Sequence, residues 1–271
     1  MSPLGAHSFG LVWQHDAARA VALLGGRGFT RFELLAMPPH LDSRNLSAAA
    51  KRALIAAIDA VDGRLLALDL PSNDINLGST AAEVVNFTCE SYVALLRVAA
   101  ELRATWVVVL PGRRHGLLPP PDGRLVDIVR RAFDTLVPEA EKLGVRLLLE
   151  NHPQSLLPDA AGIAAFLQAQ GYPNVDAVYD VANAFAIDED LVGGLDRLRP
   201  YLAMVHLSDS PAGQWKHDPI GSGAIDFVAV RDRLLSMQFS GPVVTEIVAE
   251  RALERLVEAR AALQVRGWRF S

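Results

Sequence analysis

A single cysteine stands among 271 residues, so no disulfide can form within the chain. That residue, Cys89, lies in the apolar-periodic stretch VVNFTCESYVALL and reads as a packing position. No apolar run approaches the roughly 20 residues that cross a bilayer. The first residues lack the basic stretch and apolar core of a secretory leader. A cytoplasmic location and no membrane partner are therefore expected. Lysine and arginine do not gather into a stripe that would hold nucleic acid, and the formal net charge of −5 is ordinary for a soluble protein. Linkers and low-complexity tracts are absent too. So is a glycine-rich phosphate-binding turn after the first strand-like run, where the chain reads FGLVWQHD.

What is present suits one large core: 51% of the residues are hydrophobic and 21% are charged. Short, continuously apolar runs alternate with longer stretches of helical spacing along the whole chain. The runs predict strands at about 6–12, 30–35, 64–70, 105–110, 145–150, 175–180, 202–206 and 242–246. The spacing between them predicts helices at 15–25, 47–62, 81–102, 124–143, 158–169, 188–197, 225–236 and 249–264. Gly144 after EAEKL and Gly171 after AAFLQAQ stand where helices should stop. Eight strand–helix units predict a single (β/α)₈ TIM barrel over residues 1–271, with its active site at the C-terminal ends of the strands.

Four successive strand ends carry chemistry. VRLLLE closes on Glu150, VDAVYD on Asp180, LAMVH on His206 and PVVTE on Glu246. An ionisable group at the end of a buried strand is costly unless it is paired, hydrogen-bonded or bound to a metal. At the mouth of a barrel the four would converge, and three carboxylates with one imidazole make an oxygen-rich site for a divalent cation.

The motifs LLLENHP, VYDVANAF, VHLSDS, PIGSGAIDF and VVTEI, in this order, resemble the sugar phosphate isomerase/epimerase family of the xylose isomerase-like TIM barrels. The resemblance covers nearly the whole chain, and its specific part is residues 145–247. It implies that Glu150, Asp180, His206 and Glu246 bind one divalent metal, and that Glu150 and Glu246 are also the acid/base pair. Moving a proton from carbon beside a carbonyl creates an enediolate, which a metal holding the carbonyl and hydroxyl oxygens stabilises. Two carboxylates on opposite sides of the substrate can remove a proton and return one. Return on the opposite face epimerises; return to the neighbouring carbon isomerises. Oxygen-dominated ligation favours Mn²⁺ or Mg²⁺, and the histidine also admits Co²⁺ or Zn²⁺.

Other residues are read from the same resemblance and from their spacing. Glu33, in RFELL, matches a glutamate that contacts substrate or its neighbours, and is expected to support the site. Asp69 ends the third strand, as a substrate contact or a polar-network residue. His152 lies two positions beyond Glu150 and so on the same side of an extended chain, where it could contact substrate or orient Glu150. Asn183 stands three residues after Asp180, where many relatives have histidine; it can bond a sugar hydroxyl but is a poor metal ligand. In WKHDPIGSGAIDF, Gly221 and Gly223 permit a tight loop, and Lys216 and His217 are substrate-binding candidates. His217 matches a metal-binding histidine of endonuclease IV, a three-zinc relative. That site is broken here by Leu110 on the fourth strand and by Trp215 two residues before His217. Arg113, Arg114 and His115 follow the fourth strand and could hold an anionic group of a substrate.

The implied activity is isomerisation or epimerisation of a small keto-sugar or related hydroxy-carbonyl compound. The alternative in the same architecture is a lyase resembling inosose dehydratase, which would expel a β-hydroxyl. Phosphodiester cleavage like that of endonuclease IV is argued against by Leu110, Asn183, Trp215 and the acidic charge. A catalytically dead binding protein is argued against by the intact ligand set. The expected partner is a small carbohydrate rather than a nucleic acid, and relatives often form homo-oligomers.

Overall fold

The computed structural model describes residues 3–270. Eight parallel strands run in sequence order: β1 (Gly5–His7), β2 (Arg31–Leu35), β3 (Arg64–Asp69), β4 (Trp106–Val109), β5 (Arg146–Glu150), β6 (Val175–Asp180), β7 (Leu202–Leu207) and β8 (Val243–Thr245). β8 pairs back onto β1 through Gly5↔Val244 and Ala6↔Thr245, which closes the barrel. The fold is a (β/α)₈ TIM barrel, as the alternation predicts.

Helices α1 (Ala17–Gly25), α2 (Ala48–Asp59), α3 (Ala82–Glu101), α4 (Asp122–Leu143), α5 (Ala160–Gln170), α6 (Val181–Phe185), α7 (Leu191–Leu198), α8 (Phe227–Ser236) and α9 (Ala252–Val265) surround it. Their ends follow local chemistry. Asp16, Ser47 and Asp159 accept hydrogen bonds from the backbone amides of Arg19, Ala50 and Gly162, satisfying free N–H groups of the first turns. Gly144 and Gly171 end α4 and α5 at φ 67° and 63°, where a side chain would be strained. No helix among the described residues is long and apolar enough to cross a membrane.

The barrel has two apolar layers. One fills the space between strands and helices. The other lies inside the barrel and holds Leu66, Ala67, Val108, Leu148, Val178, Met204 and Val244. Because side chains alternate along a strand, the residue two positions beyond an inner one also points inward. Leu148, Val178, Met204 and Val244 are thus followed by Glu150, Asp180, His206 and Glu246, so the inner apolar layer is the floor of the candidate site.

Three expected elements differ. The first strand stops at His7, and the apolar run continues as a 3₁₀ turn, Phe9–Leu11, packed near α9. Gly10 allows this: a Cβ there would lie 2.4 Å from the Ala252 Cβ. The helix expected at 188–197 is α7, and a short extra helix, α6, precedes it, started by the Asp180 carboxylate. The helix expected from 225 begins at Phe227, because Asp226 caps it by accepting from the amides of Val228 and Ala229.

Candidate active site

Glu150, Asp180, His206 and Glu246 each offer an atom within 4.8 Å of the others'. His206 Nδ1 lies 3.2 Å from Glu246 Oε2, 3.4 Å from Glu150 Oε1 and 4.0 Å from Asp180 Oδ2. Asp180, His206 and Glu246 are buried, yet Asp180 Oδ2, His206 Nδ1 and Glu246 Oε2 have no hydrogen-bond partner among the described residues. Three orphaned ligand-type atoms aimed at one point are costly as they stand. A divalent cation would satisfy them together, and the donor set of three carboxylates and an imidazole suits one.

The supports behind these atoms fix their direction. His206 Nε2 meets Glu33 Oε2 at 3.0 Å and donates there, so Nδ1 faces the carboxylate cluster and, once it gives up its proton, can offer a lone pair to a cation. Asp180 accepts the Asn183 amide on Oδ1 at 2.6 Å, which leaves Oδ2 toward the site. The Asn151 side chain brackets the Asp180 backbone, accepting its N–H at 2.8 Å and donating to its carbonyl at 2.9 Å.

The two glutamates are electrostatically unlike. Burial, helped by the Glu246 and Asp180 charges, pushes the Glu150 carboxyl up to about 7, although His206 pulls the other way. Burial would raise Glu246 as well, but His217, with His206 and His7, holds it well below the usual carboxylate range. Burial also disfavours charge on His206, yet Glu33 and the adjacent glutamates raise it well above the ordinary histidine value. Burial and the Arg113 charge lower His152 to about 4, so it is neutral at physiological pH.

A pocket of about 460 Å³ opens above the cluster. Glu150, Glu246, Asp69, His152, Asn183, Lys216 and His217 all line it. Glu33 does not. It is fully buried two residues before the end of β2, where Leu35 takes the end position and lines the pocket instead. Glu33 therefore touches His206 from within the barrel rather than facing a ligand.

His7 is hidden in the sequence, because the apolar run that predicts the first strand continues to residue 12. It closes β1, its Nε2 meets Asp69 Oδ1 at 3.1 Å, and its Nδ1 accepts the Phe9 amide at 3.0 Å. His7, Glu33 and Asp69 form a second acidic–histidine cluster beside the first. A histidine after the short run LGA carries the same strand-end signature as the other four.

Arg113, Arg114 and His115 fall outside this pocket and border a separate depression. Arg113 donates to Asn73 and Gln154, Arg114 to Asp122 and the Leu156 carbonyl, and His115 accepts the amides of Leu117 and Leu118. They hold their own loop. In the loop after β7, Asp209 accepts from the amides of Ser210, Gly221 and Ile225, and a Cβ on Gly223 would sit 2.4 Å from Asp209 Oδ1 and Ser210 O. That tight packing presents Lys216 and His217 to the pocket.

A sequence profile described as xylose isomerase-like TIM barrel matches residues 20–266. The chain belongs to the xylose isomerase-like TIM barrel family. Among solved structures, this family member resembles a D-tagatose 3-epimerase-like protein (TM-score 0.84, 19% identity, 98% of each chain). It also resembles an L-ribulose 3-epimerase (TM-score 0.79, 21% identity, 98% of this chain and 94% of that one). At such identities these likenesses concern the fold. The uncharacterized protein MJ1311 of Methanocaldococcus jannaschii is 25% identical over 183 residues, 65% of this chain. The match spans 62% of that protein's length.

Proposed function

We propose that this barrel, as one catalytic domain over residues 1–271, is a metal-dependent isomerase or epimerase of a small keto-sugar or related hydroxy-carbonyl compound. One observation carries the reading. Three buried ligand-type atoms without partners among the described residues, on Asp180, His206 and Glu246, converge with Glu150 at the base of an open pocket. Structures called 3-epimerases share the fold, and this supports the same class of substrate.

Glu150, Asp180, His206 and Glu246 would hold the ion, with Mn²⁺ or Mg²⁺ favoured and Co²⁺ or Zn²⁺ compatible. Bound there, it supplies Lewis-acid polarisation of a carbonyl and its neighbouring hydroxyl. Glu150 and Glu246 each approach His206 with one carboxylate oxygen and keep a second for proton transfer. One removes the proton beside the carbonyl and the other returns one. Asp69, Lys216 and the neutral His152 face the pocket and can bond hydroxyl groups, while Asn183 lines it with its side chain already bonded to Trp215 and Asn151. His217 Nδ1 lies 3.0 Å from Ser208 Oγ, 3.8 Å from Asp180 Oδ2 and 4.0 Å from Glu246 Oε2. Glu33 keeps His206 in the tautomer that leaves Nδ1 free. The lone cysteine is buried and unpaired, which fits the reducing cytoplasm.

The test is incubation of the Mn²⁺-loaded protein with keto-sugars, inososes and hydroxypyruvate in D₂O. Deuterium at the carbon beside the carbonyl, with an epimer or isomer as product, is the expected result. Loss of water from the substrate would make the protein a lyase. Absence of exchange and of product across the panel would overturn the reading.

A further inference from the structure

The loop after β7 turns back on itself: Asp209 and Asp218 exchange backbone hydrogen bonds at 2.8 Å, and Ser210 Oγ donates to the Gln214 carbonyl at 2.7 Å. Trp215 stands on this hairpin, where a polar side chain would be ordinary. Its indole is turned toward the pocket instead. Nε1 donates to Asn183 Oδ1 at 2.7 Å, and the ring meets His152 edge-on at 4.7 Å between centroids. Asn183 cannot swing away. It is buried, and its Nδ2 donates to the Asn151 carbonyl at 3.0 Å, so its Oδ1 is committed to the indole. A loop side chain is thereby set in place by a buried amide on α6. Trp215 remains 40% exposed and lines the pocket. Leu35, Leu70, Val108 and Leu110 are apolar lining of the same pocket.

A keto-sugar has one edge of oxygens and another of C–H groups. The carboxylates and His206 take the oxygens at the reacting centre. Apolar and aromatic groups can cover only the C–H edge, and rigid aromatic rings do this with little loss of freedom. We propose that Trp215, held by Asn183, is the platform on which the substrate's carbon chain packs, and that the pair sets which chain length the pocket accepts. The inference rests on the carbohydrate reading above. Trp215 touches substrate; Asn183 is a positioning residue that acts through it.

The experiment uses the Mn²⁺-loaded wild type with D-fructose, D-tagatose and L-ribulose. Beside it stand Trp215→Phe, Trp215→Ala, Asn183→Ala and the double variant Trp215→Phe/Asn183→Ala, with metal content checked in each. KM should rise about threefold in Trp215→Phe and about tenfold in Trp215→Ala, with kcat changing less than about threefold. Asn183→Ala should match Trp215→Phe, and the double variant should be no worse than either single one. Trp215→Ala should also narrow the difference in kcat/KM between the keto-pentose and the keto-hexoses. Of the four tryptophans, Trp215 alone lines the pocket among the described residues, so the tryptophan fluorescence change on adding sugar should vanish in Trp215→Phe. An active wild type whose Trp215→Ala variant keeps its KM, or a fluorescence change that survives Trp215→Phe, overturns the platform and leaves the proposed activity standing. A wild type inactive on these ketoses and on the inososes and hydroxypyruvate of the D₂O panel, but whose fluorescence still responds through Trp215, overturns the activity and supports the platform. Silence in both measurements overturns both.

Discussion

Nε2 of His206 on β7 meets Oε2 of Glu33 on β2 at 3.0 Å, across the inside of the barrel. Both groups are buried. The contact makes the direction of the His206 lone pair a property of a residue 173 positions away in sequence. Glu33→Gln keeps an acceptor there but removes the charge, and Glu33→Ala removes both. Loss of such a support typically weakens a metal site by roughly 10- to 100-fold. Competitive Mn²⁺ titration should show the larger loss for Glu33→Ala. Equal affinity in all three proteins would detach Glu33 from the site.

The wild type should bind about one divalent ion, and His206→Ala or Asp180→Ala should abolish tight binding while the barrel stays folded. Metal analysis after gel filtration gives the stoichiometry, and circular dichroism checks the fold. Full metal content in both variants would show that the ion lies elsewhere.

Glu150→Gln and Glu246→Gln preserve shape and an oxygen ligand but remove a base. Each should lower turnover by about 10²–10⁴ when measured at saturating Mn²⁺. Solvent deuterium should enter the substrate with wild type and not with the variants. Unimpaired exchange in both would remove the two-glutamate mechanism and move forward a lyase or hydrolase using water.

Metal binding should depend on pH in a definite sense. Burial raises the metal-free Glu150 carboxyl to about 7, and His206 is raised as well. Below pH 7 these groups carry protons that a cation must displace, so apparent affinity falls as pH falls. Calorimetry near pH 6 in buffers of different ionisation enthalpy should detect net proton release on Mn²⁺ binding. Binding without proton release there would mean that Glu150 is not a ligand.

Much of the fold and of the candidate site was legible in the sequence because both depend on short-range periodicity. Strand runs covered inside and out are continuously apolar, and a polar residue that ends one is conspicuous. Glu150, Asp180, His206 and Glu246 follow inner-layer residues by two positions, and the pleat alone turns them toward one axis once the barrel closes. Gly144 and Gly171 marked helix ends through backbone conformation, which is also local. His7 carried the same signature but was hidden, because the apolar run continues past the strand into a 3₁₀ turn.

The tertiary structure decided everything that requires a second segment to arrive at a known height and angle. Glu33 sits within β2 rather than at its end, and only the register across the closed barrel brings it under His206. Arg113 and Arg114 follow a strand end as the four candidate ligands do, yet the loop path spends their hydrogen bonds on Gln154, Asn73 and Asp122. Trp215 and Asn183 looked like two separate departures from multi-metal relatives, and the fold joins them by one hydrogen bond. Periodicity along a strand sets which way a side chain points. The partner it meets there is set by register and loop closure, which sum contributions from the whole chain.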